Sequence, residues 1–162
     1  MVYKLTLGDW SKDGHGIHKA FYFDCNYDVY KIRQAYKDSC KKLGIMFSIN
    51  GTRDSYTGLN LSYGDDRSIW VDYDDYWISE TAFDILNEAG CFKDILYGRD
   101  NFDEEGYSIE DIGDCVKLIM NFIAISMPDD FSYKLVKDCE SINGYHNDEL
   151  NDTFGYGLFE IE

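Results

Sequence analysis

Residues 19–44, KAFYFDCNYDVYKIRQAYKDSCKKLG, contain the change of hydrophobic period that decides the fold. The first seven residues alternate as a β-strand does, with an apolar series at Phe21, Phe23 and Cys25. After Asn26, which can cap a helix, apolar residues recur at helical spacing: Val29, Ile32, Tyr36, Cys40 and Leu43. Gly44 is a typical helix stop. The stretch therefore predicts a strand that leads directly into a helix over 27–43.

The chain before this stretch supplies a partner for the strand. Residues 2–7 also alternate, with Tyr3, Leu5 and Leu7 on one side. A polar segment, residues 8–16, follows and contains an Asp-Gly turn signal. We therefore expect an antiparallel hairpin with a long loop, followed by the helix.

The middle of the chain predicts further strands and a short helix. Residues 45–73 look like a meander of strands, with an Asn-Gly turn signal at 50–51. Ser79 can cap a short helix that Gly90 ends. We expect this helix to present its apolar face to the core.

The last third of the chain begins with the clearest helical pattern. Ser108 can start this helix, with Asp111 as an acidic variant of the capping box, and Pro128 can end it. Strand patterns follow at 131–135 and 154–158. This helix is expected to be the central buried one.

The order of these segments predicts an α+β fold. It has an antiparallel sheet, an opening β-hairpin followed by a helix, and two to three helices packed on one face. The 162 residues suit a single domain, 1–162, because Pro128 is the only proline and no linker-like segment divides the chain. With 44% hydrophobic residues, the chain has enough apolar material for a core.

Charge is distributed unevenly along the chain. There are 31 Asp and Glu against 15 Lys and Arg, a formal net charge of -16. Residues 1–60 carry nine basic and six acidic residues, a net of +3, whereas residues 61–162 carry six and 25, a net of -19. Nucleic acid and anionic membranes repel such a protein, and basic partners attract it. We therefore expect a basic protein as partner, with no direct nucleic-acid or membrane binding.

The cysteines indicate a reducing compartment. Their number, five, is odd, no two are closer than 15 positions, and no CxxC pair is present. The first residues lack the pattern of a signal peptide, and no apolar run reaches the roughly 18 residues of a membrane span. We expect a cytoplasmic protein, in a bacterium or, if a phage encodes it, in the infected host cell.

One segment offers side chains for metal binding or acid–base chemistry. Asp13, His15 and His18 are close in sequence, and imidazole suits transition metals and proton transfer. No second cluster completes a ligand set. The acidic run at 101–106 does not match a calcium loop, because its twelfth position is Ile112 instead of Glu. Nucleotide-binding and hydrolase motifs are missing, so we expect no metal, no cofactor and no catalytic residue.

The segment WVDYDDYW, residues 70–77, is the strongest candidate for a binding surface. If Ile69 faces the core, alternation turns Trp70, Asp72 and Asp74 outward. An aromatic residue among carboxylates is typical of a protein interface, and the acidic loop at 100–105 can extend it. The predicted partner-binding residues are Trp70, Asp72, Asp74, Asp75, Tyr76, Trp77, Asp103, Glu104 and Glu105.

These features predict an acidic inhibitor that blocks a basic, nucleic-acid-handling effector stoichiometrically, as a nucleic-acid mimic does. Toxin-immunity proteins and phage-encoded anti-defence proteins, including anti-CRISPR proteins, act in this way. One alternative is a small metal-dependent or acid–base enzyme that uses Asp13, His15 and His18. Another is a self-associating protein, in which the basic helix over 27–43 of one copy contacts an acidic face of another.

Overall fold

The computed structural model describes residues 2–8, 16–49, 65–71, 76–95, 107–109, 112–143 and 160–161. Their strands are β1 (Val2–Gly8), β2 (Gly16–Cys25), β3 (Met46–Ile49), β4 (Ser68–Val71), β5 (Tyr76–Ile78), β6 (Tyr107–Ile109), β7 (Tyr133–Asn143) and β8 (Glu160–Ile161). Their α-helices are α1 (Val29–Leu43), α2 (Glu80–Glu88) and α3 (Ile112–Ala124), and a short 3-10 helix spans Asp65–Arg67. The strand pattern at 154–158 and the turn signal at 50–51 lie outside these residues.

The first sheet has the strand order β7-β2-β1-β8, and its neighbouring strands are antiparallel. β1 and β2 form the expected opening hairpin, in which Tyr3 lies opposite Phe23 and Leu5 lies opposite Phe21. All four side chains are buried. Because paired residues share one face of a sheet, this face is the core side.

β7 pairs with β2 over its whole length but contains one β-bulge. Phe23 lies opposite Leu135 and Tyr22 lies opposite Lys137, so Val136 is an extra residue in the ladder. Before the bulge, Leu135 therefore shares the core side with Phe23. Within the described residues, β2 is the one strand that pairs with β7, which makes β7 an edge strand there.

The N-cap of α1 lies two residues later than predicted, at Asp28 instead of Asn26. Asp28 is the N-cap, because its carboxylate accepts a hydrogen bond from the Lys31 N–H at 2.8 Å. Asn26 instead joins the start of α1 to the segment before β7. Its side-chain amide donates to the Asp130 carbonyl at 2.7 Å, and its side-chain oxygen accepts from the Ser132 N–H at 3.0 Å.

Of three other helix boundaries, two are confirmed and one is wrong. Gly44 ends α1 in the left-handed conformation, with φ of 66°. Ser79 caps α2, and its hydroxyl oxygen accepts from the Ala82 N–H at 3.1 Å. Ser108, expected to start α3, lies in β6, and α3 begins at Ile112. The three-residue β6 is too short for alternation to reveal it, so the capping pattern was misleading there.

The second sheet has the strand order β3-β4-β5-β6. The β3 and β4 strands are parallel, with Phe47 opposite Ile69, whereas the other two pairs are antiparallel. The expected meander is therefore wrong for β3. The 15 residues between Ile49 and Asp65 are long enough for the crossover that parallel pairing requires.

Side chains from both sheets and all three helices share one core cluster. The Phe122 ring of α3 contacts the rings of Tyr36 and Phe47 edge-on, with centroids 5.7 and 5.2 Å apart, which joins α1, α3 and β3. The Ser39 hydroxyl of α1 donates to the Phe122 carbonyl at 2.8 Å and lies 2.7 Å from the Ser126 hydroxyl. These contacts hold α1 against α3.

The predicted α+β class is confirmed, together with the opening hairpin that leads into a helix. The strands are arranged in two sheets around the shared core. That residues 1–162 form one domain stays a prediction. Among the described helices, none is long and apolar enough to cross a membrane.

Candidate functional site

The predicted binding segment contains a β-hairpin with its two tryptophans paired. β4 and β5 are antiparallel, with Trp70 opposite Trp77 and Val71 opposite Tyr76. The adjacent positions, Ile69 and Ile78, are both fully buried. Because successive positions of a strand face opposite sides, positions 70 and 77 share the face opposite these isoleucines. The register therefore brings two of the predicted site residues together.

The predicted carboxylates lie outside the described residues; they are Asp72, Asp74, Asp75, Asp103, Glu104 and Glu105. The chain nevertheless fixes where the first three attach, because residues 72–75 connect Val71 to Tyr76, which are register partners. In the chain, these carboxylates are therefore separated from the Trp70–Trp77 pair by one further register pair, Val71 and Tyr76. We call residues 70–77 the tryptophan hairpin.

β6 pairs with the second strand of the tryptophan hairpin. Tyr76 lies opposite Ile109, and Ile78 lies opposite Tyr107. In the sequence, residues 103–105 precede Tyr107, whereas Glu110 and Asp111 follow Ile109.

Glu110 and Asp111 follow β6 directly in the sequence and add two acidic residues that were not among the predicted site residues; both lie outside the described residues. The strand between them and the acidic run at 101–106 was not recognised because it has only three residues. Its apolar ends, Tyr107 and Ile109, were the one available signal.

The basic residues of the two-sheet framework cluster on α1. Lys31, Lys41 and Lys42 are exposed, and the last two lie in the final turn, where cations are favoured by the helix dipole. Tyr30, on the same helix, is the most exposed large apolar side chain described, at 72%. This is the surface that the self-association alternative requires.

The described residues do not bring together Asp13, His15 and His18, the residues that the enzyme alternative requires. Asp13 and His15 lie outside the described residues. His18 is in β2, opposite Gly8 on one side and Ser141 on the other. Among the described residues, no group of three His, Cys, Asp or Glu could hold a metal ion.

The described thiols are poorly suited to nucleophilic chemistry. Cys25, Cys40 and Cys91 are buried, and each is a thiol and not part of a disulfide. Burial raises the pKa of Cys25 to about 11 and that of Cys91 to about 12. Because the thiolate is the nucleophile, both remain protonated and unreactive at neutral pH.

Comparisons with known proteins return no relationship. No family model matches the chain, and no curated protein or solved structure is significantly similar to it. The functional argument therefore rests on the residues and on their arrangement.

Proposed function

We propose that this protein is a stoichiometric inhibitor of a basic, nucleic-acid-handling effector protein. The observation that carries the proposal is the register of the tryptophan hairpin, in which Trp70 lies opposite Trp77 and residues 72–75 form the connection. The effector is a nuclease or another nucleic-acid-binding protein, of the kind that immunity and anti-defence proteins block. The inhibitor acts in the cytoplasm, without a cofactor and without catalysis.

Electrostatics supports this choice of partner. A groove that binds nucleic acid is positive because it contacts phosphates, and spaced carboxylates can occupy it in their place. Three carboxylates, those of Asp72, Asp74 and Asp75, lie in the sequence between the register partners Val71 and Tyr76 and can contribute to such an arrangement.

The paired tryptophan positions supply the apolar part of the contact. Tryptophan is enriched among the residues that dominate interface energetics, and it is most effective when other contacts exclude water around it. Carboxylates around an aromatic centre favour a partner whose lysines and arginines surround an apolar pocket. Arginine suits such a site because its guanidinium both pairs with carboxylates and stacks on aromatic faces.

Affinity capture from the native host tests the proposal. The wild-type protein is expected to retain a basic nuclease or related effector, and a Trp70→Ala/Asp72→Lys/Asp74→Lys variant is expected to lose it. The matched control is Glu88→Lys/Asp129→Lys, which makes the same number of charge reversals at exposed framework positions. Retention by the control shows that the hairpin, and not net charge, is recognised. Capture that survives the hairpin variant contradicts the choice of site.

A further inference from the structure

The outer surface of α1 is strongly basic. Its 15 residues include five Lys and Arg and one acidic residue, Asp38, which accepts a hydrogen bond from the Gln34 amide at 2.9 Å. Lys41 and Lys42 are exposed in the last turn, and Tyr30, 72% exposed, adds an aromatic ring near the start of the helix. Because opposite charges attract and tyrosine is favoured in interfaces, this surface suits an acidic protein partner.

The outer surface of α2 has the opposite charge. Its nine residues include three acidic side chains and no basic one. Glu80, Asp84 and Glu88 are all exposed, and their four-residue spacing places them along one side of the helix, about 6 Å apart. Asp66, in the 3-10 helix that contacts the start of α2, is exposed as well. α2 therefore presents a row of carboxylates within the described part of the chain.

The 3-10 helix Asp65–Arg67 connects the two surfaces. The Arg67 guanidinium lies against Gly44, the residue that ends α1, since a Cβ at Gly44 would come within 3.0 Å of Arg67 Nη1. The Asp66 carbonyl accepts a hydrogen bond from the hydroxyl of Ser79, the cap of α2. The last turn of α1 and the first turn of α2 therefore adjoin the same three-residue element, so that the basic and acidic surfaces are neighbours on one copy.

Neighbouring surfaces of opposite charge fit a second copy of the same chain. In a twofold dimer each contact is made twice, so α1 of each copy can meet α2 of the other. Lys37 and Lys41 are one helical turn apart on α1, which is also the spacing of Glu80 and Asp84 on α2. Nucleic acid is a poorer occupant of the basic surface, because a chain with a net charge of -16 repels it.

We propose that this protein forms a twofold dimer in which the basic surface of α1 in each copy binds the carboxylates of α2 in the other. The dimer contact is separate from the surface that binds the effector. Phe83 and Leu86 of α2 belong to the same core cluster as Ile69 and Ile78. Because positions 70 and 77 lie on the opposite face of that sheet, a second copy on α2 leaves the tryptophan hairpin accessible.

Two charge-reversal variants separate the contact charges from the net charge. Each reversal changes the charge by two, so Lys41→Glu/Lys42→Glu has a net charge of -20 and Glu80→Lys/Asp84→Lys one of -12. General repulsion between copies would weaken association of the first variant and strengthen that of the second. The dimer contact predicts weaker association of both variants, because each places like charges opposite one another.

An equimolar mixture of the two variants restores both contacts. In the mixed pair, the reversed α1 of one variant faces the reversed α2 of the other, and the two unchanged helices face each other. Both contacts regain opposite charges, so we expect a heterodimer with about the affinity of the wild-type dimer. The mixed and wild-type pairs have the same total charge, twice -16, so general repulsion does not affect this comparison.

Sedimentation equilibrium at 0.15 M salt measures each association. The wild-type protein is expected to approach twice the 18.8 kDa of one chain, with a Kd of about 1–100 μM. Each variant alone is expected to associate at least 10-fold more weakly. The matched control, Lys93→Glu/Lys134→Glu, also has a net charge of -20 but changes exposed residues outside α1 and α2, and it is expected to alter the Kd less than threefold. Circular dichroism confirms that each variant is folded.

The outcomes distinguish this dimer from other uses of α1. Monomeric wild-type protein at about 500 μM overturns the proposal, as does stronger association of Glu80→Lys/Asp84→Lys or a mixture that stays monomeric. Binding of a DNA duplex by monomeric wild-type protein, lost in Lys41→Glu/Lys42→Glu, would assign α1 to nucleic acid instead. Capture of the effector is measured separately, and a variant that loses the dimer is expected to retain it.

Discussion

Trp70 lies directly opposite Trp77 across β4 and β5, one position beyond the fully buried Ile69 and Ile78. In the sequence, the carboxylates of Asp72, Asp74 and Asp75 lie between the register partners Val71 and Tyr76. The strands on either side belong to a sheet whose buried residues are part of the shared core. The proposed function pairs these carboxylates with complementary charge on the partner.

The cap of α2 gives a direct test of the framework. Ser79→Ala removes the hydroxyl that accepts from the Ala82 N–H and donates to the Asp66 carbonyl, and it is expected to lower the free energy of unfolding by about 1–2 kcal/mol. Urea denaturation followed by circular dichroism measures the change. Thr81→Ala, at an exposed position of the same turn, is the control and is expected to change stability by less than about 0.5 kcal/mol. Equal effects of the two would contradict the cap.

Ser39 tests the contact between α1 and α3. Ser39→Ala leaves the Phe122 carbonyl without this donor in a buried setting, which is expected to cost about 1–3 kcal/mol. Ser126→Ala keeps that donor and is expected to cost less. The double variant is expected to be less destabilised than the sum of the two, because the hydroxyls are in contact. Chemical denaturation of all three variants checks the pattern, and strict additivity would refute the shared contact.

Asn26 tests the link between the start of α1 and β7. Asn26→Ala removes both bonds that it makes with the Asp130 carbonyl and the Ser132 N–H. We expect faster hydrogen exchange at Ser132 and a loss of about 1 kcal/mol in stability. Gln34→Ala, which removes one exposed side-chain bond to Asp38, is the control and is expected to leave exchange at Ser132 unchanged. Unchanged exchange in Asn26→Ala would show that the link does not hold β7.

Ionisation of the buried thiols predicts that the free energy of unfolding falls at high pH. Burial raises the pKa of Cys25 to about 11 and that of Cys91 to about 12, whereas the thiol of an unfolded chain ionises near pH 8.5. Because the folded pKa is the higher one, this contribution to stability is complete below about pH 8.5 and is lost as pH rises towards 11. Urea midpoints at pH 7 and pH 10 measure the loss. A midpoint that rises with pH would contradict it.

The same burial predicts slow alkylation. At pH 8, iodoacetamide is expected to modify Cys25 and Cys91 at least 10-fold more slowly in the native protein than in 6 M urea, since thiolate and access are both reduced. Mass spectrometry of the labelled peptides gives both rates. Equal rates in the two conditions would show that these thiols are not buried.

The parts of the fold that the sequence predicted are those with a strong local signal. The alternation through Phe21 and Phe23, and the stop at Gly44, each follow from backbone geometry that the sequence alone reveals. Ser79 is similar, because a cap forms within a few residues. These features depend on no distant part of the chain.

The missed features depend on distant partners. The parallel pairing of β3 with β4 is set by a core that joins Phe47 to Phe122, which no local pattern displays. Asn26 has the residue type of a helix cap, but its side-chain oxygen accepts a hydrogen bond from the Ser132 N–H, in the segment before β7. Asp28 therefore caps α1. β6 was not predicted because its three residues show too little alternation to be recognised.

The most direct test of the central claim is a titration of the captured effector's nucleic-acid cleavage activity with this protein. The proposal predicts that activity falls linearly to near zero at one copy per effector, that the Asp72→Lys/Asp74→Lys variant shifts this end point at least 10-fold, and that Glu88→Lys/Asp129→Lys leaves it unchanged. Full activity at a large excess of the wild-type protein, or equal inhibition by the hairpin variant, would contradict the claim that the tryptophan hairpin blocks a basic effector.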